Sequence, residues 1–330
     1  MATKSRVKIK TTMLLASLVA CSAFAEEATV KGIAWRYSVV DGTARIDLLN
    51  QVYTGKLAIP AKIGKYRVAG VGDGEHPIAS VPGPSAIAIP ASVTRIGIFA
   101  FGGNNNLREV ALPAQLTNVP EALFHTCENL SSVKIPASVK SIGVEAFAEC
   151  RSLKSIVIPE GVKSIDRQAF RDCSGLTSVV IPASVTNIGE MAFARCRKLS
   201  KFIVAKGSRT YASHSGALYT KDGKTLVQWL SGSPIAEAVI PDGVTTIVRF
   251  AFSDSPKLTS VAIPTSVTSL GEQAFANCPN LSVVYTDAGN SERLRAMIAE
   301  RNQVVADQII VKEMTRPKNA DARSAKTLRK

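Results

Sequence analysis

The feature that most constrains the fold is a phenylalanine that returns every 23 residues along most of the chain. It stands at Phe101, Phe124, Phe147, Phe170, Phe193, Phe252 and Phe275. The one longer step, 59 residues between Phe193 and Phe252, is interpreted as one unit of 23 plus an insertion of 36. A fixed period in this range is typical of a solenoid, in which each repeat forms one coil and the stacked coils share a continuous core.

The unit is represented by residues 176–196, which read LTSVVIPASVTNIGEMAFARC. Val179 and Ile181 alternate inward with period 2 and predict a short strand, which the following proline ends because it has no amide hydrogen. The Val-Thr-Asn-Ile segment predicts a second brief strand. Gly189 predicts a turn, and the Glu-Met-Ala-Phe-Ala segment predicts one helical turn with its phenylalanine inward.

The combination of Ile-Pro, Ile-Gly and Ala-Phe-x-x-Cys in a 23-residue unit resembles the BspA-like leucine-rich repeat family, in its Treponema-type variety. The resemblance covers about residues 30–311, and five or more consecutive units keep both spacing and residue type. It implies a leucine-rich repeat solenoid of short parallel strands and short helical turns. It also implies a surface protein, because similar proteins include cell-surface adhesins that bind host matrix proteins or other cells. It transfers no catalytic residue.

The flanks of the repeats predict caps. Trp35 and Tyr37 lie on strands joined at Asp41-Gly42, a type I′ turn pair, and they either cover the open end of the core or form an aromatic sugar platform. Near the other end, a helix is predicted from about Glu292. We divide the chain into a signal peptide at 1–25, an N-terminal β-hairpin cap at 26–56, a solenoid at 57–286 with an inserted hairpin at about 206–234, a C-terminal helix-strand cap at 287–311 and a disordered basic tail at 312–330.

The inserted hairpin is centred on Asp222-Gly223, which again suits a type I′ turn. An insertion that projects from a solenoid often lies on its working face. The alternative is that it only extends one coil. The sequence leaves both interpretations open.

The first residues have the layout of a secretory signal, with four basic residues, a short apolar run and Ala23-Phe24-Ala25. Cleavage after Ala25 is favoured. The alternative is a lipobox at Leu18-Val19-Ala20-Cys21, which would place a lipid anchor on Cys21. Either route predicts an exported protein that is secreted, periplasmic or on the cell surface. No other stretch predicts a transmembrane helix.

The positive charge is local. The formal net charge is +14, and removal of the signal leaves 36 basic and 26 acidic residues. Residues 151–209 hold eleven basic and four acidic residues, and within them we define a basic ridge as Arg151, Lys154, Arg171, Arg195, Arg197 and Lys201. Such a ridge could bind an anionic polysaccharide or an acidic protein surface, or it could be ordinary solvated charge. Nucleic acid is not expected, because no recognition motif accompanies the charge.

The outward strand positions form a second candidate surface. Val157, Val180, Ile203 and Val239 hold one outward position in four successive coils, and we define them as the apolar stripe. Exposed apolar patches often mark partner sites. The alternative is that β-branched residues simply suit strands.

The cysteines share one position of the repeat, which Asn104 and Ser255 occupy in other coils. We interpret Cys127, Cys150, Cys173, Cys196 and Cys278 as small buried residues that hydrogen-bond to a neighbouring loop. Disulfides and a metal site are the alternatives, but stacked side chains point the same way and Cys-x-x-Cys pairs are absent.

The chain has three histidines without metal-ligand spacing, and it has no phosphate-binding loop or nucleophile-elbow motif. We therefore expect neither a catalytic or metal site nor a cofactor. The leading hypothesis is a non-catalytic exported protein that binds a macromolecule, either a protein or a glycan, through its extended surface. A structural envelope protein or periplasmic scaffold is the alternative.

Overall fold

The computed structural model describes residues 25–49, 52–74, 76–79, 83–302 and 308–314. The predicted signal peptide, apart from Ala25, lies outside these ranges, as do Cys21 and residues 315–330 of the predicted tail. Within them the chain forms a solenoid of stacked short strands with a strand cap at one end and a helix-strand cap at the other. The predicted fold class is confirmed.

The N-terminal cap is an antiparallel meander of β1 (Glu26–Val30), β2 (Ile33–Val40) and β3 (Thr43–Leu49). Asp41 and Gly42 have φ of 48° and 73°, which agrees with the predicted type I′ turn. Trp35 and Tyr37 are only 1% and 2% exposed, so they belong to the core and cannot serve as a sugar platform. The cap joins the solenoid where β3 pairs in parallel with β6 (Tyr66–Val71).

A first row of strands forms one face of the solenoid. Its members are β4 (Lys56–Ala58), β7 (Ala86–Ala88), β9 (Glu109–Ala111), β11 (Ser132–Lys134), β14 (Ser178–Ile181), β16 (Lys201–Val204), β20 (Glu237–Val239), β22 (Ser260–Ile263), β24 (Val283–Asp287) and β25 (Ile310–Met314). All pairs within the row are parallel. The row has two breaks: residues 155–158 form no strand, and β16 does not pair with β20.

A second row of strands lies at the Ile-Gly motif of each repeat or at the equivalent residues. Its members are β6 (Tyr66–Val71), β8 (Arg95–Ile96), β10 (Asn118–Val119), β12 (Ser141–Ile142), β13 (Ser164–Ile165), β15 (Asn187–Ile188), β19 (Thr225–Gln228), β21 (Thr246–Ile247) and β23 (Ser269–Leu270). A short strand, β5 (Lys62–Ile63), pairs with β6 on the outside of this row. These strands are two residues long over most of the row because the glycine or its equivalent turns the chain immediately afterwards.

The segments around each phenylalanine form a third stack, which we call the turn ladder. Each segment is closed by hydrogen bonds from an amide to the carbonyl three residues earlier, such as Cys127 to Phe124 at 3.0 Å. The alternate amides instead donate to the next coil, as Phe124 does to Ala146 at 2.8 Å. Both kinds of bond together satisfy the backbone of a segment that is neither helix nor sheet.

The turn ladder has a backbone feature that the repeat pattern did not indicate. In most coils, the residues two before and two after the phenylalanine have positive φ although few of them are glycine. Examples are Ala122 at 50° and Thr126 at 58°, on either side of Phe124. The phenylalanine between them points into the core, where the rings of Phe147 and Phe170 stack with centroids 5.2 Å apart.

The interpretation of the 59-residue step as 23 plus 36 is wrong. Trp229 occupies the phenylalanine position of a further coil: its ring lies 5.4 Å from that of Phe252, and its amide donates to Ala251 as a phenylalanine amide does. Trp229 stands 23 residues before Phe252 and 36 after Phe193. The true insertion is therefore 13 residues within one complete coil. The repeat pattern did not reveal this coil, because Trp229 stands at the phenylalanine position and Gly232 stands at the cysteine position.

The insertion is a hairpin of β17 (Tyr211–His214) and β18 (Ala217–Thr220), and β18 also pairs antiparallel with β19 as predicted. The type I′ geometry lies at Ser215-Gly216, with φ of 48° and 83°. The prediction of that turn at Asp222-Gly223 is wrong, because only Gly223 has positive φ there. The Asp222 carboxylate instead accepts the Lys224 amide at 3.0 Å within the loop.

The inserted hairpin divides the core. Buried residues from Ala28 to Leu230 form one apolar cluster, and those from Ala217 to Val311 form a second. Strand β18 separates them: Leu218 packs into the first cluster and Tyr219 into the second. Alternating side chains of one strand point to opposite sides, so a single strand can serve both clusters.

The C-terminal cap consists of helix α1 (Ser291–Arg301) and strand β25. Asn290 is the N-cap, but its side chain makes no cap hydrogen bond and instead accepts from Arg293 at 2.7 Å. The helix end closes the turn ladder, because the Gln273 amide donates to the Arg301 carbonyl at 2.9 Å. Strand β25 extends to Met314, so the fold continues three residues past the predicted cap boundary of 311.

Candidate functional site

The outward side of the first row is the most extensive candidate surface. Three residues of the predicted apolar stripe are strongly exposed there, with Val157 at 79%, Val180 at 48% and Ile203 at 42%. Val180 and Ile203 are direct partners in the pairing of β14 with β16. Val157 holds the same position one coil earlier, where the Thr177 amide donates to the Lys154 carbonyl at 3.2 Å. We call these three residues the apolar patch.

Val239 is exposed at 61% but is separated from the apolar patch. The Phe202 amide of β16 donates to the Gly216 carbonyl at 2.9 Å, so the turn of the inserted hairpin stands beside β16 where the next strand would lie. Val239 begins a separate sheet and pairs with Ala262. The sequence therefore identified four exposed residues correctly, but the continuous stripe through all four is wrong.

The N-terminal part of the same face presents small side chains. Ala58, Ala88 and Ala111 hold the outward position, with Lys134 next to them. They line a concave groove of about 480 Å³. Along the solenoid, the outward face therefore changes at residues 155–158 from a groove lined by alanines to the bulkier apolar patch.

The arginines of the basic ridge are largely paired with carboxylates. Arg151 contacts Glu128 at 2.9 Å and Glu149 at 3.0 Å, and Arg171 contacts Glu149 at 3.0 Å. Arg195 lies 3.3 Å from Asp172. The pairs of Arg151 are at the surface and contribute about 0–1 kcal/mol each to stability, and all of these pairs cancel positive charge locally.

The remaining ridge residues, Lys154, Arg197 and Lys201, are exposed and have no ion pair within the described part of the chain. Lys154 and Lys201 lie on the coils of Val157 and Ile203. The predicted ridge therefore reduces to Lys154 and Lys201 beside the apolar patch, whereas Arg197 lies in the turn after Cys196, near the Asp254 carboxylate. The repeat pattern did not indicate these ion pairs, because Glu149 and Arg171 are 22 residues apart, one less than the repeat.

The five described cysteines are buried free thiols. Each donates its Sγ hydrogen to the phenylalanine carbonyl of the preceding coil, over 3.0 Å from Cys127 to Phe101 and 3.3 Å from Cys150 to Phe124. Burial raises the pKa of Cys127 to about 12 and that of Cys278 to about 11. The predicted hydrogen bond to a neighbouring loop is confirmed, and these thiols stabilise the stack rather than take part in chemistry.

Within the described residues, no group of three or more His, Cys, Asp and Glu side chains is arranged to hold a metal ion. Among the same residues, no helix has the length and apolar character that a membrane span requires.

The family model for the BspA type leucine rich repeat region matches six copies, over residues 84–200 and 229–295. These ranges cover more than half of the chain. The chain belongs to the BspA-type leucine-rich repeat family. The second range begins at Trp229, the residue that fills the phenylalanine position after the insertion. No curated protein sequence matches this BspA-type chain.

Several solved structures resemble this BspA-type solenoid. A leucine rich cell surface protein from Faecalibacterium prausnitzii is 29% identical, with a TM-score of 0.60 over 80% of this chain and 76% of that one. The pneumococcal vaccine antigen PcpA is 18% identical, with a TM-score of 0.57 over 80% and 82%, and at that identity it shows the shared fold alone. A leucine rich repeat protein of T. pallidum is 20% identical, with a TM-score of 0.43 over 80% and 92%.

Proposed function

We propose that this protein is an exported, non-catalytic surface protein that binds a partner protein through the apolar patch and the cations beside it. The observation that carries the proposal is the exposure of Val157, Val180 and Ile203 side by side on a rigid sheet face. Neighbouring apolar side chains left in water favour association with a second apolar surface. Membership in the BspA-type family supports a role in protein interaction.

The chemistry of the patch defines the partner. Its centre is apolar, and Lys154 and Lys201 lie beside it, so the complementary surface is an apolar patch with acidic residues at its rim. Rim charges mainly steer the encounter and are screened by salt, whereas apolar burial at the centre sustains the complex. Binding should therefore weaken with salt without being abolished.

The test is binding of the chain from residue 26 onward to a panel of extracellular-matrix proteins, beside an anionic polysaccharide, at low and high salt. Val180→Asp should abolish or strongly weaken binding, because it places a charge at the centre of the patch. Val239→Asp is the matched control: the residue type and strand position are the same, but it lies beyond the inserted hairpin. Equal loss in both variants, or binding to the polysaccharide alone, would contradict the assignment of the site.

A further inference from the structure

A second site lies on the opposite part of the coil, where the turn ladder is interrupted. In the coils of Phe101, Phe124, Phe147, Phe170 and Phe252, three alternate amides of the turn donate to carbonyls of the next coil. The coil of Phe193 is different, because its neighbour is the coil with the insertion. Among the described residues, the amides of Met191, Phe193 and Arg195 have no acceptor. The solenoid therefore presents an edge of three hydrogen-bond donors at this point.

A cavity of about 480 Å³ opens at the Met191 end of this edge, between Met191, the coils of Phe252 and Phe275, and the end of helix α1. Met191 and Phe250 supply its apolar wall. The ring of Phe250 is held in place by the Arg249 guanidinium, 4.8 Å from its centroid. Arg249 also lies 3.5 Å from Glu272, which lines the same cavity. The size is that of a small-ligand pocket rather than of a gap between coils.

Two buried polar side chains that line the cavity have an unsatisfied atom among the described residues. Ser253 is 1% exposed and Asn302 is 3% exposed, and within the described part of the chain neither the Ser253 hydroxyl nor the Asn302 Nδ2 has a hydrogen-bond partner. Buried polar groups without a partner are rare and costly, at about 1–3 kcal/mol each. Both groups are available to hydrogen-bond a ligand that enters the cavity.

The cavity also offers acceptors. Asp254 lines it and lies 3.1 Å from the Asn277 amide and 3.8 Å from Arg195, and burial raises the pKa of its carboxyl group. Glu272 and Glu300 add carboxylates at the rim, and Glu300 lies 3.1 Å from Arg301. The wall therefore mixes unpaired donors with carboxylate acceptors, and each carboxylate has an arginine within 4 Å that balances its charge.

We propose that this cavity binds a neutral polyhydroxylated ligand, a sugar unit of a glycan. A hydroxyl group can accept from the orphan donors and donate to the carboxylates, and the apolar face of a pyranose ring can pack against Phe250 and Met191. Because each of the three carboxylates is already paired with an arginine, the cavity has no unpaired charge for either an anion or a cation to bind. An extended peptide needs donors and acceptors in alternation along one edge, whereas the edge of the Phe193 coil supplies donors only.

The site is separate from the proposed protein-binding surface, so the two proposals can fail independently. The test is saturation-transfer-difference NMR of the full mature chain with D-galactose, D-glucose and N-acetyl-D-glucosamine, and with galacturonic acid and glucosamine as charged comparisons. At least one neutral sugar should bind saturably and in preference to both charged compounds. Absence of saturable binding by every neutral sugar, or preference for a charged one, would overturn the proposal.

Variants locate the binding. Phe250→Ala should weaken it about tenfold, the equivalent of about 1.4 kcal/mol for the lost ring contact. Phe99→Ala is the matched control, because Phe99 holds the same ladder position with φ of 57°, against 60° for Phe250, but lies away from the cavity. Gln273→Ala changes an exposed lining residue and should weaken binding without affecting folding. Unchanged binding in both Phe250→Ala and Gln273→Ala would overturn the site.

Discussion

The phenylalanine of each turn stabilises the coil by filling the core and by stacking on its equivalents in the coils above and below. Phe147 is fully buried, and its centroid lies 5.4 Å from that of Phe124 and 5.2 Å from that of Phe170. Because each ring contacts both neighbours, loss of one ring removes contacts from three coils. Such a defect cannot relax without moving the backbone of the stack.

Phe147→Ala should therefore lower the free energy of unfolding by about 3–5 kcal/mol. Phe99→Ala, at a partly exposed position two residues before Phe101, should lower it by about 1 kcal/mol or less. Urea denaturation followed by circular dichroism measures both. Similar losses for the two variants would show that the ring stack adds little to the stability.

The buried thiols give the stability a pH dependence. Their folded pKa values lie above the unfolded value of about 8.5, so above that pH the unfolded state releases protons that the folded state keeps. The free energy of unfolding should therefore be at its full value below about pH 8.5 and fall as the pH rises.

Replacement of Cys150 and Cys173 by serine should make this fall less steep, by up to about 1.4 kcal/mol per pH unit for each thiol removed. Urea denaturation at several pH values compares the slopes. Serine is a suitable replacement because Ser255 occupies the same position in another coil. Identical slopes for the variant and the parent would contradict ionisation of thiols as the cause.

At the scale of the element, the turns of the ladder depend on residues with positive φ that are not glycine. Ala122 has φ of 50° and Gln168 has φ of 58°, in a region that costs an L-residue about 1 kcal/mol. The stack tolerates this cost because the left-handed residues allow the alternate amides to reach the next coil.

Ala122→Gly should leave the stability unchanged or raise it by up to about 1 kcal/mol, because glycine adopts this φ without strain. In a helical turn the same substitution would lower the stability by about 1 kcal/mol, so the sign distinguishes the two kinds of turn. Thermal and urea denaturation give the sign. Ala146→Gly, at the position directly before Phe147, is the control and should destabilise because it removes a buried methyl group.

At the scale of the whole molecule, the inserted hairpin separates two apolar clusters, and each contains one of the two tryptophans. Trp35 belongs to the first cluster and Trp229 to the second. Because each coil of a solenoid contacts only its neighbours, a defect in one cluster reaches the other mainly through the coil of Trp229, in which β18 and Leu230 contact the first cluster.

Phe252→Ala, in the second cluster, should therefore lower the denaturation midpoint reported by Trp229 more than the midpoint reported by Trp35. Fluorescence of the single-tryptophan variants Trp35→Phe and Trp229→Phe follows the two clusters separately. Phe147→Ala should have the opposite effect. A single shared midpoint in every variant would show that the hairpin transmits unfolding and that the clusters form one cooperative unit.

The sequence by itself determined the period, the inward residues, the burial of the cysteines and the two caps. These follow from alternation and spacing along the chain, and identical units repeat the same information many times. For the same reason the sequence identified Val157, Val180 and Ile203 as outward residues.

Only the tertiary structure decided which of these surfaces are continuous and which charges are free. The coil of Trp229 and the position of Gly216 beside β16 depend on how 13 extra residues pack, and no local pattern records that. Whether Arg171 is free depends on Glu149 in the adjacent coil. The cavity beside Met191 lies where the neighbouring coil supplies no hydrogen-bond acceptors to the turn of Phe193. This is a property of the stack and not of any one repeat.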